Sequence, residues 1–302
     1  MTLLGAGGQG EVWEAVSLSV GGLRVALKRV RHDDDGARRA VKEAELLARV
    51  RHPHVVRVHD VVADGDDSWI VMEYVAGTSL ARAGRIGVER AATYGAQLAD
   101  GLAAVHAQGL LHRDVKPSNV LVDDDVATLV DFGIADSLWD AETVTGTPGA
   151  DAGATGTSEA SADDGRVRGT PAYLAPELRV PGAQYRRPAD VYGLGVTLYE
   201  ALEGTLPFGE SGGRSSGPRE RAGIRTPRRS GAMTPLLTRM LREDPRERPA
   251  LEDVRDELRT IAANGTSGPS PTPRGRTRLA AVAGVVVLAL VAGAYWWQAY
   301  GP

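Results

Sequence analysis

Residues 109–122 read "GLLHRDVKPSNVLV", and the meaning of this stretch decides how the rest of the chain is read. Leu110 and Leu111 precede, and Val120, Leu121 and Val122 follow, a turn that carries His112, Arg113, Asp114, Lys116, Ser118 and Asn119. Folding alone does not require so many charged and hydrogen-bonding groups between two apolar fragments. A turn of that kind is surface chemistry held by a rigid scaffold. The pattern predicts two strand fragments joined by a functional turn.

Twelve residues beyond Asn119, "LVDFGIA" places Asp131 inside a second apolar run that reads as a strand. Asp114, Asn119 and Asp131 would then offer oxygen atoms at the ends of neighbouring strands. A few hard oxygen donors suit Mg2+ carrying phosphates, because this ion keeps several waters and takes only one or two protein carboxylates. Asn119 and Asp131 would be its ligands. That leaves Asp114 to orient an attacking hydroxyl and accept its proton, with Lys116 neutralising charge on the transferred phosphoryl group. Singly, each residue is an ordinary turn former, since Asp and Asn favour turns. Their joint order and spacing carry the reading.

Toward the N-terminus lies Gly5-Ala6-Gly7-Gly8-Gln9-Gly10-Glu11-Val12, a G-x-G-x-x-G-x-V sequence. A dinucleotide-binding version needs a helix to start at the glycines. Here "EVWEAV" follows and alternates like a strand, so the glycines form a hairpin whose amides approach phosphates without a Cβ in the way. Eighteen residues past Gly10 stands Lys28, the lone cation in the apolar run "VALK". It is placed to pair with phosphate oxygens, steadied by a carboxylate on the single helix of that region: Glu43, with Glu45 as the fallback.

The 302 residues are 42% hydrophobic, enough for one large domain or two lobes with a sizeable core. A net charge of -4 argues against bulk affinity for nucleic acid, so no nucleic-acid partner is expected. The absence of cysteine excludes thiolate catalysis, disulfides and Cys-ligated metals. The opening "MTLLGAGGQG" has neither a basic n-region nor a long apolar run, and is not read as a signal peptide. No fixed-period repeat is present between residues 1 and 262.

One change of pattern divides that stretch. Up to about residue 75, Val-rich runs ("EVWEAVSL", "LRVALKRV", "VVRVHDVV", "SWIVMEYV") surround one helical segment at 36–50, which predicts a small sheet with one helix. From residue 86 onward, apolar residues recur at helical spacing in "VERAATYGAQLADGLAAVHAQG", "ADVYGLGVTLYEALEG" and "MTPLLTRMLRE". A mostly β lobe, 1–75, therefore precedes a mostly α lobe, 76–262. The fold class is α+β.

Residues 263–278, rich in Gly, Pro, Ser and Thr and ending in Arg274, Arg276 and Arg278, read as an unstructured basic linker. The next 19 residues, "LAAVAGVVVLALVAGAYWW" at 279–297, carry no charge and would span roughly 28 Å as a helix at about 1.5 Å per residue. They read as one transmembrane helix, with residues 298–302 as a short tail. Three arginines before the span and none after it place the soluble domain in the cytoplasm and the C-terminus outside.

Taken together, these motifs resemble the Ser/Thr protein kinases, in particular the eukaryotic-like, membrane-anchored kinases of bacteria. The resemblance rests on the glycine loop, Val25-Ala26-Leu27-Lys28, the helix glutamate, Met72-Glu73-Tyr74-Val75, His112-Arg113-Asp114, Asp131-Phe132-Gly133, Gly169-Thr170-Pro171, Ala175-Pro176-Glu177 and Asp190 of "DVYGLGV". It covers residues 2 to about 260. A lone G-x-G-x-x-G is common, but this whole ordered series is not.

The resemblance implies a two-lobed protein-kinase fold and transfer of the ATP γ-phosphate to Ser/Thr hydroxyls of protein substrates. ATP and Mg2+, with Mn2+ as the alternative, are the implied cofactors. Asp114, Lys116, Lys28 and Glu43 would form the catalytic set, and Asn119 and Asp131 would hold the metal. ATP would lie against Leu4, Gly5, Gly7, Gly10 and Lys28, with adenine between Val12 and Ala26 above and Leu121 below. Its edge would bond to backbone around Glu73 and Val75. Leu47, Val58, His112 and Phe132 would stack into an internal column. The remaining histidines, His32, His52, His54, His59 and His106, read as ordinary.

In the activation segment the resemblance implies that Thr170 contacts Asp114 and Lys116, that Glu177 pairs with Arg248, and that Arg113 holds a phosphothreonine. The favoured reading is that Thr143, Thr145, Thr155, Thr157, Ser158 or Ser161 is phosphorylated in trans, which implies a homodimer; the alternative is that Asp163 and Asp164, which stand where that threonine is expected, supply built-in charge. Three departures stand out. The first strand is reduced to Thr2-Leu3-Leu4, residues 209–231 are too rich in Gly, Pro and Arg for a substrate-docking helix, and residues 142–165 are of low complexity. Two other readings are a pseudokinase scaffold, opposed by the presence of Lys28, Asp114, Asn119 and Asp131, and a small-molecule kinase, opposed by the Gly-Thr-Pro and Ala-Pro-Glu segments.

Overall fold

The structure, a computed structural model, describes residues 1–7, 10–17, 21–30, 41–42, 44–64, 67–132, 170–180, 182–208 and 224–265. These form one compact unit, Met1–Gly265. Five antiparallel strands make the first sheet: β1 (Thr2–Gly7), β2 (Gly10–Val16), β3 (Arg24–Val30), β4 (Val58–Asp64) and β5 (Asp67–Glu73), in the order β1-β2-β3-β5-β4. β2, β3 and β5 align Val12, Lys28 and Ile70 on one row, and Trp13, Leu27 and Val71 on the next. Because successive side chains point to opposite faces, the row holding buried Lys28 and Ile70 faces inward.

Two boundaries differ from the sequence reading. β1 runs for six residues and pairs with β2 from Thr2↔Glu14 to Gly7↔Gly10, so the first strand is not reduced to three residues. A bulge between Leu3 and Gly5 lets it continue into the glycines. At the other lobe, "GLLHRDVKPSNVLV" contributes one strand and not two. Leu110 and Leu111 lie outside any strand, residues Pro117–Asn119 form a 3-10 turn, and the strand begins at Val120.

The helical lobe starts with β6 (Thr78–Ser79) and the short α1 (Leu80–Ala83), capped by the Ser79 hydroxyl, which accepts from Arg82 N at 3.3 Å. α2 (Val88–Ala107) and α3 (Arg187–Glu203) form its buried centre. α4 (Thr234–Met240) and α5 (Leu251–Gly265) complete it. β7 (Val120–Asp123) and β8 (Val126–Leu129) pair with β6 in the order β6-β7-β8. α5 continues through Ala263 and Asn264 to Gly265, into the segment read from sequence as linker. The two alanines favour helix and the Asn-Gly pair favours its end.

One hydrophobic cluster joins the lobes. Leu47, Val58, Ile70 and Phe132 belong to it together with Leu98, Leu102 and Leu129. Among the described residues no helix is long and apolar enough to cross a membrane. Residues 279–297 lie outside the described residues, as do Gly133, Asp163, Asp164 and most of the stretch read as unable to form a docking helix.

Candidate active site

The turn that carries Asp114 hangs from a single buried carboxylate. Asp190, fully buried in the first turn of α3, accepts from His112 N at 2.9 Å, Arg113 N at 2.9 Å, His106 Nε2 at 2.7 Å and Tyr185 OH at 3.3 Å. Burial pushes this carboxyl group up, but the His106 hydrogen bond and the neighbouring donors outweigh it and hold it below the ordinary carboxylate range. The anchoring forces the turn into an uncommon shape, with Arg113 at φ 67°. His106, ordinary by its place in the sequence, is a buried support of the turn.

Asp114 projects from that turn into a cluster of donors. Its Oδ2 accepts from Lys116 Nζ at 2.6 Å and from Asn119 Nδ2 at 3.0 Å. Lys116 Nζ also donates to Thr170 Oγ1 at 2.9 Å, and Thr170 Oγ1 lies 3.4 Å from Asp114 Oδ1. Asn119 Nδ2 further reaches the backbone oxygens of Asp114 at 2.9 Å and of Asp131 at 3.4 Å. The amide of Asn119 thus orients Asp114 while its oxygen points elsewhere, accepting Ser118 Oγ at 3.2 Å.

Asp131 follows β8 and is not inside a strand; its φ of 57° turns the chain out of the β region. Lys28 Nζ donates to Asp131 Oδ1 at 2.5 Å. Lys28 is 5% exposed, so its charge has few routes to water and needs such a partner. The sequence expected a helix carboxylate as that partner. Among the described residues the partner is Asp131; Glu43 lies outside them, and Glu45 is exposed.

The glycine hairpin is built as β1–β2 with Gly7↔Gly10 as its last described pair. Gly10 has φ 116°, and a Cβ there would lie 2.6 Å from Arg29 O, so only glycine lets β2 approach β3 at that point. A Cβ at Gly5 would meet nothing within 4 Å. Leu4, at the bulge, is 46% exposed. Ala26 is buried, Val12 and Val75 pack partly buried against the lobe-joining cluster, and Leu121 is half-buried on β7. Glu73 ends β5 with an exposed side chain, and its N–H is spent on Arg57 O at 2.8 Å.

His112 and Phe132 lie with ring centroids 4.4 Å apart and planes tilted by 35°, and Phe132 shares a buried cluster with Leu47 and Val58. Burial pushes the His112 ring toward its neutral form. On the far side, Glu177 and the fully buried Arg248 guanidinium meet in a two-pronged ion pair. Tyr173 OH donates to Glu200 Oε2 at 2.5 Å, and burial together with this bond pushes the phenol well above its usual range.

Compared with known proteins, residues 1–258 match the family described as the protein kinase domain. The chain belongs to the protein kinase family. The kinase domain is 37% identical over 266 residues to serine/threonine-protein kinase pkn2 of Myxococcus xanthus, covering 82% of this chain and 30% of that protein. It is 38% identical over 224 residues to serine/threonine-protein kinase PkaB of Streptomyces coelicolor, covering 68% of this chain and 48% of that one. The crystal structure of the Mycobacterium tuberculosis PknI kinase domain superposes with a TM-score of 0.60 at 27% identity, covering 86% of this chain and 94% of that one. The chain spans less than half the length of these curated relatives. The antiparallel β lobe and helical lobe described above are those of the kinase fold.

Proposed function

We propose that this kinase domain transfers the γ-phosphoryl group of ATP to serine or threonine hydroxyls of protein substrates. The observation that carries the reading is Asp114, whose carboxylate is oriented by Asn119 and faces Lys116 and Thr170. The acceptor hydroxyl oxygen attacks the γ-phosphorus, the bond from phosphorus to the bridging oxygen breaks, ADP leaves, and the hydroxyl proton passes to Asp114. Lys116 Nζ, between Asp114 and Thr170, neutralises charge on the transferred group. Lys28 holds phosphate oxygens once it exchanges Asp131 for nucleotide, with Glu43 as its further support.

The donor types would suit Mg2+, with Mn2+ as the alternative: the amide oxygen of Asn119, once turned from Ser118, and the carboxylate of Asp131, once released by Lys28. Bound there, the ion would neutralise charge on the phosphates. The N–H of Glu73 is already engaged, so the adenine edge would be read by other backbone groups from Glu73 to Val75. Leu4, Gly5, Gly7, Gly10, Val12, Ala26 and Leu121 would enclose the nucleotide. Arg113 would receive a phosphate of the activation segment.

The apolar run 279–297 supports a single membrane span, with the kinase domain cytoplasmic and the C-terminus outside by its flanking arginines. Ala280/Gly284 and Ala289/Gly293 are small-xxx-small pairs that would suit helix packing and a homodimer phosphorylating in trans.

The decisive experiment is transfer of labelled γ-phosphate with Mg2+ to a generic protein acceptor, followed by identification of the modified residues. Phosphoserine or phosphothreonine made by wild type and not by Asp114→Asn is expected. Nucleotide binding without transfer by wild type would favour a scaffold. Protease added to spheroplasts should leave the kinase domain whole, and its digestion there would overturn the orientation.

A further inference from the structure

Asp100, on α2, meets basic side chains from two separate parts of the chain. Its Oδ1 accepts from Arg255 Nη1 at 3.1 Å and its Oδ2 from Arg259 Nη2 at 3.2 Å, both on α5. On its other side His52 Nε2 lies 3.6 Å from Oδ2. Burial pushes the Asp100 carboxyl up, but the Arg255 bond and the other cations hold it below its ordinary range.

His52 belongs to the loop of residues 50–56, which joins the helical residues 44–47 to β4. This loop is fastened to the other lobe. His54 O accepts from Leu129 N at 2.9 Å, Val56 N donates to Leu129 O at 2.9 Å, and His54 Nδ1 lies 2.9 Å from Ala127 O. At its start the loop continues from Leu47, which shares a core cluster with Phe132. The position of the loop therefore bears on the column above His112.

α5 is also pinned to α2 by Leu258, which lies between its two arginines. A Cβ at Gly95 would lie 2.8 Å from Leu258 Cδ1, so the two helices touch there with no room to spare. Gly265 is beside Glu89 and Arg255 beside Asp100, so the helices run antiparallel and α5 delivers its two arginines toward the loop. Apolar packing alone would hold α5 in place. Two arginines converging on one carboxylate that also faces His52 add a polar tie between α5 and the loop.

We propose that Asp100 is a positioning residue that couples the C-terminal helix to the 50–56 loop, so that any change in α5 is transmitted to the nucleotide-binding lobe. The kinetic part of this inference rests on the phosphotransferase reading; the structural part does not.

The test uses the full chain in three forms: Arg255→Gln with Arg259→Gln, Asp100→Asn, and the charge-conserving Asp100→Glu. The first readout is amide hydrogen exchange at Val56 and Leu129. Roughly fivefold faster exchange is expected in the first two variants, on the scale of exposed ion-pair effects, with Asp100→Glu close to wild type. The second readout is steady-state kinetics, where KM for ATP should rise on the order of threefold while kcat changes less. If exchange quickens only within α5, or quickens equally at every amide as a global loss of stability would cause, the coupling does not exist. If the loop amides respond and transfer is absent from wild type, the coupling stands and the phosphotransferase reading fails.

Discussion

Glu177 and Arg248, separated by 71 residues, are joined by two parallel hydrogen bonds, Oε1 to Nη1 at 2.6 Å and Oε2 to Nη2 at 2.7 Å. Arg248 completes its donors on Pro188 O, Arg242 O and Glu243 O. Removing the carboxylate leaves a buried guanidinium short of a counter-charge. Glu177→Gln is expected to cost about 3 kcal/mol, the low end of the range for breaking a buried pair, because Glu177 keeps some solvent contact. Urea unfolding checks this, and a loss within 0.5 kcal/mol of zero would show the pair to be dispensable.

Asp114→Asn keeps the shape of the turn and removes the proton acceptor. Turnover should fall on the order of 10²- to 10⁴-fold while nucleotide affinity stays within about threefold, since the lost function concerns the hydroxyl. Equilibrium binding beside single-turnover transfer separates the two quantities.

Gly10→Ala places a methyl group 2.6 Å from Arg29 O at a φ of 116°. β2 must withdraw from β3 near Lys28, so KM for ATP should rise roughly tenfold, with about 1–2 kcal/mol lost in stability. Gly5→Ala has open space around it and should leave stability unchanged.

At the end of α3, Glu203 Oε1 accepts from Arg228 N at 3.1 Å, Arg229 N at 2.8 Å, Ser230 N at 2.9 Å and Ser230 Oγ at 2.8 Å. Burial raises its affinity for a proton, but these hydrogen bonds more than reverse that and lower it below the usual carboxylate value. A group depressed on folding contributes stability above its unfolded pKa, about 4.3, and loses it as pH falls through the folded value. Wild type should therefore destabilise more steeply below about pH 4.5 than Glu203→Gln, which cannot titrate. Identical acid limbs for the two proteins would refute this.

The parts legible in the sequence are those whose signal is local. Alternation in "EVWEAV" and "LRVALKRV" marks β2 and β3 because the period-2 pattern is a property of one strand. The turn of Asp114 and Asn119 is visible because both residues lie within five positions. The support of that turn is not local. Asp190 reaches His112 and His106 across 78 and 84 residues, and Lys28 finds Asp131 across 103. His106 looked like any residue near a helix end, since spacing within α2 carries no trace of α3. The nearness of Thr2 to the glycine loop reads as a strand cut short, whereas a bulge between Leu3 and Gly5 carries the strand into the glycines.

The long reach of Asp190 also sets an order of events during synthesis. A growing chain that has passed Asn119 already holds its proton acceptor and most of its phosphate-binding residues, yet the turn has nothing to hang from until α3 has formed. Closing so long a loop is slow, and the strained backbone at Arg113 is not stable without it. On the proposed phosphotransferase reading, a molecule still on the ribosome would be inert until the chain beyond residue 190 has folded.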